Sequence, residues 1–176
     1  MRIEIKERGS EAFYRETVNV AAQYQRLLKN PKRKLGDLFK NYRNSGILSV
    51  VAFALLAILM ILWGSDTIMI VAEVVLAINI VLSIMLFRNM KKLLGKLQDD
   101  PRTSVFSMDD RGIELDKEGA QIVRIAWDNL AFVRAFKESI CFASKEGTGI
   151  TISIDRKYEN EIRQYMTEHV PSIEII

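Results

Sequence analysis

Two polar residues, Glu73 and Asn79, lie in a long apolar stretch and are the strongest candidates for chemistry in this sequence. A carboxylate inside a membrane can bind a cation, relay protons or join the helices of an oligomer. The simpler interpretation of Glu73 is a side chain that reaches water near the membrane surface or bonds a neighbouring helix. Asn79 and Ser83 are one helical turn apart, which favours helix–helix contact over a substrate path. Because residues six apart on a helix point about 120° apart, Glu73 and Asn79 need not face one cavity.

The rest of the sequence offers no arrangement of side chains that is typical of a catalytic or metal site. Cys141 is the one cysteine and His169 the one histidine, so an ordinary zinc site would need carboxylates as well. The acidic residues between 109 and 116 lack the spacing of a calcium loop, and residues 146–149 match no nucleotide-binding glycine pattern. We therefore predict no catalytic residue, no metal, no cofactor and no enzymatic activity.

The elements that would position the two intramembrane residues are apolar segments with the composition of transmembrane helices. Residues 46–64 carry no charge and reach about 28 Å as a helix, close to the ~30 Å hydrocarbon core of a bilayer. In residues 67–87, many Ile, Val, Leu and Phe side chains outweigh the cost of Glu73, about 2.5–3.5 kcal/mol at a helix centre. Asp66 lies in the short turn between the segments. The sequence predicts a transmembrane hairpin.

Basic residues flank this hairpin on both sides, whereas its connecting turn contains no Lys or Arg. Because Lys and Arg stay on the cytoplasmic side, a multi-pass protein with both termini in the cytoplasm is expected. The same residues would contact anionic lipid headgroups, by general attraction or by specific recognition. These candidates are Lys32, Arg33, Lys34, Arg43, Arg88, Lys91 and Lys92. No nucleic-acid partner is expected, because no pattern of interleaved aromatic and basic residues is present.

The segment before the hairpin, residues 1–45, contains a predicted strand followed by helices. Apolar and polar residues alternate over residues 1–7, which is typical of a half-buried strand. Ser10 is a suitable N-cap for an amphipathic helix that ends near Pro31. A second apolar stripe over residues 35–42 predicts an interfacial helix, or equally the start of one continuous helix into the first apolar segment.

The segment after the hairpin comprises a basic juxtamembrane part, residues 88–102, and a β-rich part, residues 103–176. Short strands are predicted over 104–108, 113–116, 121–127, 131–136, 140–144 and 150–154. A last helix ends at Pro171. The chain is thus predicted to be an α+β membrane protein with a small cytosolic antiparallel sheet or partial barrel, capped by a C-terminal helix. We expect the N-terminal strand to join this sheet and cover an edge.

The order of these elements resembles the YcxB-like protein family of bacterial membrane proteins. The resemblance is carried by the N-terminal strand, the paired apolar segments and three short motifs, Met108–Leu115, Ile125–Leu130 and Ile150–Ile154. The glycine turn, and a tryptophan followed three residues later by an aliphatic residue, are also similar to small bacterial pleckstrin-homology-like modules. The resemblance implies a cytosolic domain anchored in a bacterial plasma membrane, and it brings no catalytic residues to carry over.

Two functional hypotheses follow from these features. The first is a membrane-anchored binding or regulatory module whose β-rich domain binds a protein partner, a lipid headgroup or a second copy of the chain. The alternative is a subunit of an oligomeric transporter or pore in which Glu73 and Asn79 face the lumen. Oligomerisation would be required for that role, because two helices cannot enclose a path. A membrane enzyme is the weakest of the hypotheses, since it would need an active site completed by a partner chain.

Overall fold

The computed structural model of this α+β chain describes residues 1–5, 9–64, 66–100, 103–118, 121–145 and 149–176. Its contacts divide it into two compact units. The first unit combines Met1–Leu35 with Lys96–Ile176, and the second comprises Gly36–Gly95. In sequence, the second unit is therefore an insertion into the first.

The described elements are five helices and seven strands. The helices are α1 (Glu11–Ala22), α2 (Tyr24–Lys29), α3 (Leu38–Trp63), α4 (Thr67–Gln98) and α5 (Glu159–His169). The strands are β1 (Arg2–Ile5), β2 (Ser104–Asp109), β3 (Gly112–Lys117), β4 (Gln121–Ala126), β5 (Leu130–Ala135), β6 (Ser139–Ser144) and β7 (Thr151–Asp155). All six strands predicted after the hairpin are present, and no end is shifted by more than one residue.

A four-stranded antiparallel sheet in the order β1-β2-β3-β4 joins the two ends of the chain. β1 pairs with β2, with Ile3 opposite Phe106, so the prediction that the N-terminal strand covers a sheet edge is confirmed. Residues 6 and 7 of the predicted strand lie outside the described residues. Between β2 and β3, a side chain at Gly112 would collide with the backbone carbonyl of Ile125, which explains the glycine at this turn.

A second antiparallel sheet, in the order β5-β6-β7, follows a 3-10 turn at Trp127–Asn129. The described strands thus form two separate sheets and close no barrel, so the predicted single sheet or partial barrel is correct only in its antiparallel strands. The reason is that β5 leaves the turn to pair with β6 instead of β4. The C-terminal Ile176 exchanges backbone hydrogen bonds with Val133 and Ala135, which covers the β5 edge.

The core of the first unit lies between these two sheets. Phe106 and Phe142, one from each sheet, are fully buried with their ring centroids 5.6 Å apart. The C-terminal helix α5 adds Ile162 and Met166 to this core, as the predicted cap requires. The inner faces of both sheets are apolar and exclude water from each other.

Helices α1 and α2 cover the outer face of the three-stranded sheet. Val20 and Leu27 pack there with Cys141, so β6 is buried on both of its faces. Ser10 caps α1 as predicted, since its Oγ accepts the N–H of Phe13 at 3.0 Å. The single helix predicted up to Pro31 is interrupted at Gln23, between α1 and α2.

The second unit consists of α3 and α4, which are both long and apolar enough to cross a membrane. Of the two alternatives for residues 35–42, the structure has the continuous helix, which begins at Leu38 after the N-cap Asp37. α4 continues past residue 87 to Gln98. In the most apolar 18 residues of each helix, only 11% and 6% of the residues are buried, which distinguishes them from core helices of a globular domain.

Candidate functional site

The inner face of the four-stranded sheet changes from apolar to polar along its strands. Met108, Ile113 and Ile125 lie side by side in one cross-strand row, and each is at most 2% exposed. The next two rows are Ile3–Phe106–Leu115–Val123 and Ile5–Ser104–Lys117–Gln121. The last row ends the apolar core, so this end of the space between the sheets is open and polar.

A cleft of about 280 Å³ lies at this open end, between the polar row, the first turns of α1 and the strand β7. Its apolar wall consists of Ile5, Phe13, Leu97, Leu115, Val123 and Ile154. Its hydrogen-bonding groups include those of Tyr14, Thr17, Gln121, Thr151 and Ser153. A mainly apolar concavity with a few polar groups is the usual form of a small-molecule site, and this one is at the small end of the range.

The hydroxyl groups of α1 in the cleft keep part of their hydrogen-bonding capacity. Tyr14 Oη accepts the backbone N–H of Gly9 at 3.2 Å, and its own O–H remains a donor. Thr17 Oγ1 donates to the carbonyl of Phe13 at 3.0 Å, and its lone pairs remain acceptors. A ligand with one or two polar groups could therefore bond to this wall.

Charges of both signs line the cleft and offset each other. Lys117 Nζ is 3.9 Å from the carboxylate of Asp100, and Asp155 accepts the backbone N–H of Lys157 at 2.9 Å. The described lining residues therefore give no excess of one sign. Such a cleft favours an uncharged or zwitterionic amphipathic molecule over a strongly charged one.

The helix wall of the cleft is fixed to the three-stranded sheet by a carboxylate that the sequence had not singled out. Glu16 of α1 accepts the N–H groups of Lys137 and Glu138 at 3.1 and 3.0 Å, and the Ser139 hydroxyl at 2.7 Å. These groups belong to the turn between β5 and β6 and to the first residue of β6. At the other end of this helical segment, the Tyr24 hydroxyl donates to the carbonyl of Ser144. Together these bonds hold α1 in position over the sheet.

Cys141, on the face beneath α1, is fully buried. Burial raises the pKa of its thiol to about 12. Because the thiolate is the nucleophilic form, this cysteine is inert in the folded protein. Its position indicates a packing role.

The polar residues around the β2–β3 turn have structural partners. The carboxylate of Asp109 accepts the N–H groups of Arg111 and Gly112 at 2.8 and 3.0 Å, and the Arg111 bond is the main reason why its pKa is lowered. Trp127 Nε1 donates to the Asp109 carbonyl at 2.9 Å and its ring packs on the core.

His169 stacks on Tyr165, with ring centroids 4.3 Å apart. No group of three His, Cys, Asp or Glu side chains that could hold a metal occurs among the described residues.

The two intramembrane candidates lie in different environments on α4. Glu73 is partly buried, and within the described part of the chain its carboxylate has no hydrogen-bond or ion-pair partner. Asn79 is exposed, and its Oδ1 accepts the hydroxyls of Ser83 and Ser45 at 3.1 and 3.4 Å. The predicted role of Asn79 and Ser83 in helix–helix contact fits these bonds. The transport role of Glu73 and Asn79 stays a prediction.

The basic candidates for lipid contact all have exposed side chains. Lys32, Arg33 and Lys34 follow α2 in the first unit, where the guanidinium of Arg134 bonds the carbonyls of Pro31 and Arg33. The other four, Arg43, Arg88, Lys91 and Lys92, lie on α3 and α4. Lys91 Nζ lies 5.1 Å from the ring centre of Phe87. Each of these ammonium and guanidinium groups is therefore accessible to an anion.

The cleft itself was missed from the sequence, although a signal for it was present. Three polar side chains lie on the same face of the sheet as the buried apolar residues of β2, β3 and β4. They are Ser104, Lys117 and Gln121. When three such residues lie on the inward face at the same end of a sheet, they indicate that the core is open there. The contribution of α1 and β7 could not be read from the sequence, because it depends on how the layers pack.

Comparison of the chain with protein-family models, with curated proteins and with solved structures finds no match.

Proposed function

We propose that this chain is a membrane-anchored binding or regulatory module. In this proposal the hairpin of α3 and α4 spans a bacterial plasma membrane, and the first unit lies on the cytoplasmic side with both termini. The cleft of the first unit binds an uncharged or zwitterionic amphipathic small molecule. The likeness to the YcxB-like family and to pleckstrin-homology-like modules belongs to the same proposal.

The observation that carries the proposal is the pairing of β1 with β2. These strands lie on either side of the whole second unit in sequence, yet they belong to one sheet. They must therefore occupy the same compartment. Two membrane crossings satisfy this condition, because the chain then leaves the bilayer on the face where it entered.

The surface of the second unit supports insertion of both helices. Large apolar side chains are exposed along α3 and α4, and Ile61 and Ile68 are 83% and 75% exposed. In water, a contiguous apolar surface of this extent would cause copies of the protein to associate. In a bilayer the lipid tails cover this surface, so the free-energy cost of exposing it to water is removed. Arg43 and Arg88 favour the cytoplasmic orientation, since the turn near Asp66 carries no basic residue.

The topology is tested with reporters on both termini and with Asp66→Cys in intact cells. We expect both reporters in the cytoplasm, and we expect an impermeant maleimide added outside to label position 66. The buried Cys141 is an internal control that stays unlabelled. Termini on opposite faces, or release of the chain from membranes by alkaline carbonate, would rule out the proposed anchoring.

The binding role is tested by closing the cleft with Val123→Trp. Ile122→Trp is the matched control, because Ile122 is 64% exposed on the neighbouring position of β4 and does not line the cleft. Native mass spectrometry of the detergent-purified chain should show a small molecule retained by the wild type and the control, and lost from Val123→Trp. Equal retention by all three proteins, or no retained molecule in any, would refute the binding role of the cleft.

A further inference from the structure

Asn79 is a polar residue at the edge of the α3–α4 contact, where its side chain is exposed. The residues of this stretch of α4 that are partly or fully buried include Glu73, Leu76, Ile80 and Ser83. Asn79 lies beside this row, next to the exposed apolar residues Val75, Leu82 and Leu86 of the same flank. We call Val75, Asn79, Leu82 and Leu86 the Asn79 flank.

The amide of Asn79 uses only one of its two polar ends within the hairpin. Its Oδ1 takes the hydroxyls of Ser45 and Ser83, and within the described residues its Nδ2 has no hydrogen-bond partner. If the amide is turned round, the serine oxygens accept from Nδ2 and the carbonyl is then the end without a partner. One end of the amide therefore projects from the helix pair unpaired in either orientation.

The depth of Asn79 makes an unpaired amide costly in lipid. It lies twelve residues after Thr67 and nine before Arg88, or about 18 Å and about 13 Å along the helix. These distances, and the bond to Ser45 beside the start of the apolar part of α3, place it in the cytoplasmic half of a ~30 Å hydrocarbon core, given the membrane insertion proposed above, on which this step rests. Lipid tails offer no hydrogen bond there, so a partner that supplies one is favoured.

We infer that the Asn79 flank is an interface at which a second copy of this chain docks in the membrane. An amide carries both donor and acceptor groups and is therefore complementary to itself across a two-fold axis. Two copies related in this way pair their Asn79 amides, while Leu82 and Leu86 pack around the bond. The hydrogen bonds from Ser45 and Ser83 fix the orientation of each amide before the copies meet.

The test compares cysteines at two neighbouring positions of the full chain in phosphatidylethanolamine–phosphatidylglycerol vesicles. Leu82→Cys lies on the Asn79 flank, and Val81→Cys is the matched control, equally deep and 63% exposed but about 160° away from Asn79. Oxidation should give a disulfide-linked dimer for Leu82→Cys and not for Val81→Cys. The native Cys141 does not interfere, because it is fully buried.

The role of the amide is measured by energy transfer between labelled copies as lipid is added. Asn79→Leu should weaken association roughly 3- to 30-fold, the range for polar contacts between membrane helices. Asn79→Gln retains an amide and should keep most of the association. Cross-linking at both cysteine positions, or equal association of wild type and Asn79→Leu, would overturn the inferred interface. A Leu82→Cys product with a different protein would overturn the second copy as the partner.

These outcomes separate the interface from the proposed anchoring. A chain that stays in the vesicle fraction after alkaline carbonate but forms no dimer contradicts the interface alone. A chain that leaves the vesicles contradicts the anchoring and the interface together.

Discussion

The two units of this protein place the same types of apolar residue in opposite environments. In the first unit Ile113, Ile140 and Ile154 are 0% exposed, whereas Ile61 and Ile68 of the second are 83% and 75% exposed. The first unit buries its apolar side chains between layers that it builds itself. The second has only two helices, too few to bury their own surfaces. The first unit therefore provides its own apolar environment, whereas the second leaves most of its apolar surface exposed.

The polar side chains of the two units also lie in different environments. In the first unit, side chains such as Glu16 and Asp109 satisfy the backbone of turns at the surface. In the second unit, Ser49 and Ser83 are buried, and Gly46 of α3 lies so that an added Cβ would be 3.4 Å from the Cβ of Ser83 on α4. Small polar residues at such a contact let helices approach closely without an aqueous driving force. This contact is consistent with the membrane insertion proposed for the second unit.

The largest effect expected from this comparison is a change of solubility when the second unit is removed. Replacing residues 36–95 with a flexible Gly/Ser linker deletes the exposed apolar helices and leaves both parts of the first unit. We expect a protein that stays in the supernatant without detergent and protects Cys141 from thiol reagents as the full chain does. Aggregation, or rapid labelling of Cys141 in linkers of several lengths, would show that the first unit does not fold by itself.

A core substitution should distinguish the units by its effect on the free energy of unfolding. Phe106→Ala removes a fully buried ring of the first unit and should cost about 3–5 kcal/mol. Leu62→Ala is the control on α3, where the side chain is 67% exposed, and should change the stability of the first unit by less than about 0.5 kcal/mol. Labelling of Cys141 in increasing urea measures both. Similar costs for the two variants would contradict the division into units.

A smaller effect should show that residues before the hairpin belong to the first unit. Ile3→Ala removes an 8% exposed side chain from the inner face of β1 and should cost about 2 kcal/mol, because the site lies near the sheet edge. Arg2→Ala is the control on the exposed face of the same strand and should be nearly neutral. The same urea titration compares them. A neutral Ile3→Ala would mean that β1 adds little to the sheet.

The elements of this fold could be predicted from the sequence more fully than their arrangement. Alternation of residue types located β1, and Ser10 marked the start of α1, because these signals depend on near neighbours. The separation into two sheets follows from the chain direction after Trp127, which local patterns do not specify. The cleft and the position of Glu16 depend on contacts more than 100 residues apart in sequence. Such contacts become visible only when the layers are assembled.

The pH dependence of the free energy of unfolding should show that α1 shields the outer face of β6 from water. Burial raises the pKa of the Cys141 thiol to about 12 in the folded protein, from the ordinary value of 9.0 that applies in the unfolded chain. Below pH 9 both states keep the proton. Above it the unfolded chain loses the proton and the folded protein retains it until about pH 12. Stability therefore falls as pH rises through this window, by about 1.4 kcal/mol per pH unit.

Replacing the thiol isolates this contribution. In Cys141→Ala, the loss of stability between pH 9 and pH 10 should be smaller than in the wild type by about 1 kcal/mol. Urea unfolding followed by circular dichroism at each pH measures the difference, and other groups that titrate in this range remain in both proteins. Equal pH dependence in the two proteins would mean that the thiol already meets water in the folded state. The outer face of β6 would then be open to water, and the contrast between a first unit that covers its apolar side chains and a second unit that exposes them would fail at this face.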